Sequence, residues 1–243
     1  MLDALAEDGA YVSQFVTGIS NGGLTAHPGG DRWRWESRMF GGAYDEARAE
    51  ERPVYGALNF RRRAVGGAPR FGSAHVRLTA EALARSTFCH PDSCFEPEHF
   101  GVAERMGLIA LADAAECDVL DDYIEAQVHG PVRLERDVEA VVLDPSYRGT
   151  PVESAAARLG CPVEWHDGFR LTVDVLREHA DYRGPQYVEL GERIAVGGVL
   201  TPRVIGDAAG VYDEQALKRV WHCVARFGLA GWADGAEDSG RSG

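Results

Sequence analysis

The segment Tyr123-Ile124-Glu125-Ala126-Gln127-Val128-His129 constrains the chain more than any other. Strand side chains alternate between faces. Ile124, Ala126 and Val128 then form an apolar face, and Tyr123, Glu125, Gln127 and His129 a polar one. Glu is depleted in strands, whose solvent faces favour Thr, Lys or Arg. Four adjacent hydrogen-bonding side chains on an otherwise apolar strand suit the wall of a cleft, although a surface strand has the same pattern. The segment predicts a sheet with Glu125 in its middle. The run Val138 to Leu143, stopped by Asp144-Pro145, is the expected neighbouring strand.

The other elements follow from the same patterns. A short amphipathic helix is expected to about Gln14, and a second helix over Asp31 to Phe40. Val54 to Phe60, Ser73 to Leu78 and Val163 to Trp165 read as strands, and Arg85 to Phe88 as extended chain. Glu98 to Ala115 has Val102, Met106, Ile109 and Leu111 at near-helical spacing. Pro151 to Leu159 has Pro at its start and Gly160 after it, the punctuation of a helix. From about Asp174 to Phe227 the chain is mostly helical, broken at Tyr182-Arg183-Gly184-Pro185 and Gly197-Gly198. No linker interrupts the pattern. The expectation is a single α+β domain over 1–232, with a mostly antiparallel sheet core and a helical C-terminal part. The small, acidic tail at 233–243 is expected to be disordered.

Composition narrows the function. The chain has 243 residues, 45% of them hydrophobic and 26% charged, enough to bury a core without disulfides. A formal net charge of -13 argues against a broad nucleic-acid surface, which needs a clustered basic footprint. No apolar run spans a bilayer, and the start has neither a basic region nor a continuous apolar stretch. The odd set of 5 cysteines lacks a Cys-x-x-Cys pair and reads as reduced thiols, so the expected location is the cytoplasm, away from membranes. Lys218 is the one lysine, and every other basic residue is an arginine. A GC-rich coding bias explains that preference. So does the planar fork with which Arg grips phosphate.

Three further clusters carry potential chemistry. Arg85-Ser86-Thr87-Phe88-Cys89-His90-Pro91-Asp92-Ser93 offers hydroxyls that fix a ribose or orient a carboxylate, although Asp92-Ser93 equally suits a turn cap. Cys89, His90, Cys94 and His99 are zinc-ligand types at short spacing, but without the usual paired knuckles. The stretch Thr17 to Tyr44 places Arg32, Arg34 and Arg38 near glycine amides, a combination that holds pyrophosphate or is simply a loop packed by Trp33 and Trp35. Dinucleotide-fold, P-loop, serine-hydrolase and zincin motifs are all missing.

Two resemblances add to these readings. Ser13 to Gly23, with Thr17-Gly18-Ile19-Ser20-Asn21-Gly22-Gly23, then Arg52 to Asn59 and Tyr123 to Gly130, resemble a bacterial family of unknown function. So do Trp165 to Phe169 and Trp221 to Gly228. More distantly, a Tyr-Gly strand at Tyr55-Gly56, an Arg-Ser-Thr strand with a following Asp-Ser and a Glu-bearing strand are similar in order to the motifs of ADP-ribosyltransferases. That resemblance implies a split-sheet fold, NAD as substrate and no metal. It implies Glu125 as the carboxylate acting on the nicotinamide ribose, with Gln127 and His129 beside it for the acceptor. Asn21, Arg34, Arg38, Tyr55, Ser86 and Thr87 would bind the dinucleotide. The early Arg or His of that family has several counterparts here, Arg34, Arg38 and His27. The toxin-type Glu-x-Glu is replaced by Glu125-Ala126-Gln127. The acceptor is open: protein, nucleic acid, small molecule or water. The alternatives are a metal-dependent hydrolase using His129, His90 or His27, and an interaction domain using Trp33, Trp35 and the Arg-rich segment.

Overall fold

The structure, a computed structural model, describes residues 2–20 and 23–229. Asn21 and the 233–243 tail lie outside the described residues. Counting strands of three or more residues, β1 is Val54–Leu58, β2 His75–Leu78, β3 Ser86–His90 and β4 His99–Val102. β5 is Ile124–Val128, β6 Val138–Leu143 and β7 Val163–Trp165. One four-stranded sheet has the order β1-β5-β3-β4, antiparallel throughout. A three-stranded sheet has the order β2-β6-β7, antiparallel between β2 and β6 and parallel between β6 and β7. With the helices around them, the chain is α+β.

Glu125 sits on an inner strand, as the alternation in its segment predicts. Its neighbours differ from the expectation. β6 does not flank β5; β1 and β3 do. The cause lies in the connection. Gly130 adopts a left-handed φ of 79°, and Val132–Arg133 pairs with Ala10–Tyr11 instead of returning to β5. The turn Leu134–Asp137 then delivers β6 beside β2.

The expected helix over Glu98 to Ala115 is a second correction. It divides into β4 and a helix at Leu108–Ala114. Gly101 fits closely there, since a Cβ on it would lie 3.0 Å from the Arg105 carbonyl oxygen. Pairing with β3 satisfies the β4 backbone, so tertiary contact overrides the helical spacing of the apolar residues.

All five residues of β5 are buried, so both of its faces are covered. Ile124 and Ala126 pack with Phe88, Leu108 and Ala112, and Val128 packs with Val54, Ala82 and Val132. Around the other sheet, Val138, Val141 and Leu143 meet Leu5, Ala156 and Leu159. The expected C-terminal helices form at Val173–Glu178, Pro185–Ile194, Pro202–Asp207 and Glu214–Phe227 and enclose their own core around Leu176, Leu200 and Val220. Among the described residues no helix is long and apolar enough to cross a membrane.

The helix Asp31–Met39 is amphipathic in an unusual sense: its buried residues are Arg32 and Glu36. One helical turn separates them, so they share a face. That face turns toward the polar side of the four-stranded sheet, where both side chains find partners on β1 and around β5. Gly30 starts this helix, and a Cβ there would run into the Thr25 carbonyl oxygen. Gly30→Ala is therefore expected to unseat the helix start. The expected loss is about 1–3 kcal/mol, the usual cost of overpacking, read as a lower urea midpoint.

Candidate functional site

Antiparallel pairing places Ala57 and Cys89 opposite Glu125, and Tyr55 and Thr87 opposite Gln127. These residues share one face of the sheet, beneath the 31–39 helix. Glu125 is only 4% exposed. Its Oε1 accepts from Gln127 Nε2 at 2.8 Å and from the Cys89 thiol at 3.6 Å. Its Oε2 accepts from Ser93 Oγ at 2.8 Å and the Ser93 amide at 3.4 Å. Ser93 Oγ in turn accepts from Arg32 Nη1 at 2.9 Å, while Arg32 Nε donates to Ser20 Oγ at 2.8 Å. The Arg32 guanidinium lies over the Tyr55 ring, 4.2 Å from its centre, where a cation is attracted to the π face.

The other end of the network fixes a histidine tautomer. Thr87 Oγ1 donates its single proton to Gln127 Oε1 at 2.9 Å. It must then accept from His129 Nε2, also at 2.9 Å, so Nε2 carries the hydrogen. Nδ1 is left as acceptor for the Tyr44 hydroxyl at 2.6 Å. Burial, and then the Arg85 charge, hold the His129 pKa below its usual value, in keeping with a neutral ring.

A buried ion pair stands beside this chain. Arg52 Nη1 donates to Glu36 Oε2 at 2.8 Å, and the Tyr55 hydroxyl donates to Glu36 Oε1 at 3.0 Å. Asp92 accepts from the Tyr123 hydroxyl and from the Cys94 amide. Burial pushes Asp92 up, but these donors outweigh it and bring its pKa below the usual carboxylate range. Two arginines, Arg32 and Arg52, thus face three acids, Glu36, Asp92 and Glu125. Glu125 shows the imbalance: burial first, and then the Asp92 charge, raise its pKa to about 7, against Arg32, Gln127 and Ser93. Burial and the Glu125 carboxylate also keep the Cys89 thiol protonated.

Glu125, Gln127, His129, Thr87 and Tyr55, singled out from the sequence, are therefore brought together. Ser86 is not. It lies on the opposite face and donates to the Ala82 carbonyl at 2.6 Å, because adjacent residues on a strand cannot face the same way. Arg34 and Arg38 are on the surface, Arg34 bonded to the Gly29 carbonyl and Arg38 paired with Glu96. The arginine of that segment that reaches Glu125 is Arg32.

Sequence reasoning missed Glu36, Arg52 and Tyr44, and placed Ser93 in a turn cap or in the Asp-Ser after the Ser-Thr strand, not against Glu125. The i,i+4 spacing of Arg32 and Glu36 was the available signal. His90 bonds the Tyr123 carbonyl, and His27 bonds the Pro28 carbonyl. Among the described residues no three His, Cys, Asp or Glu side chains gather in a metal-holding group. A recess of about 340 Å³ opens beside Thr87, between Met39, Phe40, Phe100 and Val102. A wider one of about 620 Å³ lies at the Arg52 end, lined by Phe15, His27 and Asp45.

A raised acid pKa has a thermodynamic signature. The stability contributed by neutral Glu125 is complete below the unfolded value of 4.5 and is lost as pH rises to about 7. The stability of the wild type relative to Glu125→Gln should therefore fall across that window, by up to about 1.4 kcal/mol per pH unit, and level off above it. Parallel urea titrations of the two proteins from pH 4.5 to 8 measure it; a difference independent of pH would refute the assignment.

Two matches to one family model, described as "Protein of unknown function (DUF3626)", cover residues 1–117 and 107–226. No curated protein matches the chain. The two matches together run from the first residue to residue 226 of 243, and they carry through β5 and the whole Glu125 network. The chain belongs to the DUF3626 family.

Proposed function

We propose that this chain is an NAD-consuming, ADP-ribosyltransferase-like enzyme of the cytoplasm that cleaves the nicotinamide–ribose bond. The observation that supports this reading is the placement of Glu125. Its carboxylate is at the centre of an antiparallel sheet, next to the strand carrying Thr87, and is joined to Arg32 through one hydroxyl.

The chemistry suits such a group. When the glycosidic bond breaks, its electron pair leaves with nicotinamide and positive charge develops on the ribose. A fixed, desolvated carboxylate stabilises that charge as it forms. Only ionised Glu125 does this, so the reaction needs a pH above about 7. The acceptor, whether protein side chain, nucleic acid, small molecule or water, then attacks the ribose carbon and releases its proton to solvent. Gln127 orients Glu125 through the 2.8 Å hydrogen bond. Because Glu125 lies under the 31–39 helix, that helix is the part that moves to admit NAD. Gly29 before it and Gly41 and Gly42 after it all have left-handed φ angles, which glycine adopts without a steric penalty.

A second reading rests on a different observation. Both Glu125 oxygens have donors and the residue is nearly inaccessible, as in a polar network that only specifies packing. The chain would then be a non-catalytic interaction domain.

Incubation with NAD while following free nicotinamide separates the two. The catalytic reading expects release that rises with pH through about 7, then levels off. Glu125→Gln should cut it by about 10²-fold, the scale for one preorganised electrostatic group. Arg32→Lys should weaken NAD binding, because Lys keeps the charge and loses the fork, whereas Arg34→Lys and Arg38→Lys should not. A folded Glu125→Gln protein as fast as wild type would sink the catalytic role. If NAD, ADP-ribose and nicotinamide also fail to raise the melting temperature at millimolar concentration, the interaction domain stands.

A further inference from the structure

The sheet face that carries Glu125 is not covered across its whole width. In the antiparallel register Val102 lies opposite Thr87 and Phe100 opposite Cys89, so all four share the face of Glu125 and Gln127. β4, which carries Phe100 and Val102, is the edge strand on that side. The 31–39 helix ends at Met39, and between that end and β4 the recess of about 340 Å³ stays open.

The chemistry of the lining is mixed in one particular way. Met39, Phe40, Phe100 and Val102 are apolar, and Phe100 and Val102 stay exposed although both are large hydrophobic side chains on one strand face. Two lining residues are polar. The Thr87 hydroxyl gives its hydrogen to Gln127 and accepts one from His129, which leaves it one lone pair. Arg105 is the other, and its guanidinium has no hydrogen-bond or ion-pair partner among the described residues. Among the described residues no acid lines the recess, and Glu96, just before β4, is taken by Arg38. A cation on the wall of an apolar recess favours an anion that carries apolar surface of its own.

We propose that this recess binds a small aromatic anion. The ring packs against Phe40 and Phe100, its carboxylate or phosphate meets the Arg105 fork, and a ring substituent with an N–H can donate to Thr87. Ligand pockets run from about 300 to 1,000 Å³. At about 340 Å³ the recess is at the small end, so it takes one ring system with its anion and not a whole dinucleotide. The inference goes beyond the NAD reading and does not need it. Because Thr87 is bonded to both His129 and Gln127, the occupant touches the end of the Glu125 network farthest from the carboxylate.

Calorimetric titration of the full chain at constant ionic strength tests it. The aromatic anions are adenosine monophosphate and benzoate, with adenosine and benzyl alcohol as their neutral counterparts and ribose phosphate as the anion without an aromatic ring. One saturable site per chain is expected for the aromatic anions, about tenfold or more tighter than for the neutral probes, the scale of one charge-assisted hydrogen bond. Tighter adenosine monophosphate identifies a nucleotide as the source, and tighter benzoate an aryl carboxylate. Arg105→Gln should remove the preference for the anions and leave the neutral probes as they were. Phe100→Ala should weaken charged and neutral aromatic probes alike, by about two- to tenfold. Both side chains are on the surface, so both variants should melt near the wild type. The proposal is overturned by the absence of saturable binding, by equal affinity for charged and neutral probes, by ribose phosphate binding as tightly as adenosine monophosphate, or by unchanged affinities in Arg105→Gln. A dimer in sedimentation that Val102→Glu dissociates also overturns it, since a second copy of the chain then fills the recess.

Discussion

A carboxylate in the middle of a covered sheet face has to be solvated by protein groups, because water no longer reaches it. At Glu125 that work falls to Gln127 and Cys89 on one oxygen and to Ser93 on the other. Ser93 can donate to Glu125 and still be satisfied because Arg32 donates to it. Arg32 comes from a helix far away in sequence, so a single buried charge ties the N-terminal third of the chain to the central sheet. The Glu36–Arg52 pair, with Tyr55, makes the second tie. Removing one partner of such a pair leaves an uncompensated charge, typically costing about 3–5 kcal/mol. The cover over the sheet is therefore held by polar contacts rather than by an apolar seam.

This arrangement explains why part of the fold is legible in the sequence and part is not. β5 announces itself because its two faces differ in chemistry, and period-2 alternation is local information. The 31–39 helix is legible as a helix, but the direction it faces is not. A helix that buries Arg and Glu inverts the usual rule for amphipathic faces, and only the partners on β1 and around β5 make that burial tolerable. The same limit hides strand order. Whether β6 returns beside β5 is decided by the Gly130 turn and by pairing between residues 10–11 and 132–133, a contact across most of the first half of the chain.

The site residues divide along the same line. Glu125, Gln127 and His129 are found by alternation, and Thr87 by its place in the Ser-Thr strand. Ser86 and Thr87 cannot be told apart until the register is known, and the register assigns Thr87 to the polar face. Among the arginines of the 31–39 helix, distance along the helix says little. What separates Arg32 from Arg34 and Arg38 is that only Arg32 shares a helical face with Glu36.

The sulfur of Cys89 has a consequence of its own. If Glu125 takes up a proton, the new O–H needs an acceptor. Gln127 and the Ser93 amide present only hydrogens, but the Ser93 hydroxyl, which accepts from Arg32, keeps a second lone pair and can rotate its hydrogen away. The Cys89 sulfur can do the same: a thiol turns its hydrogen away and accepts instead, and it already receives one from Gln127 Nε2 at 3.3 Å. Within this set, Ser93 and Cys89 are the groups whose polarity can reverse without moving backbone, one at each carboxylate oxygen. The face that opposes Glu125 across the strand is thus a weak, polarisable buffer, which lets an otherwise rigid lattice of donors tolerate both states of one acid.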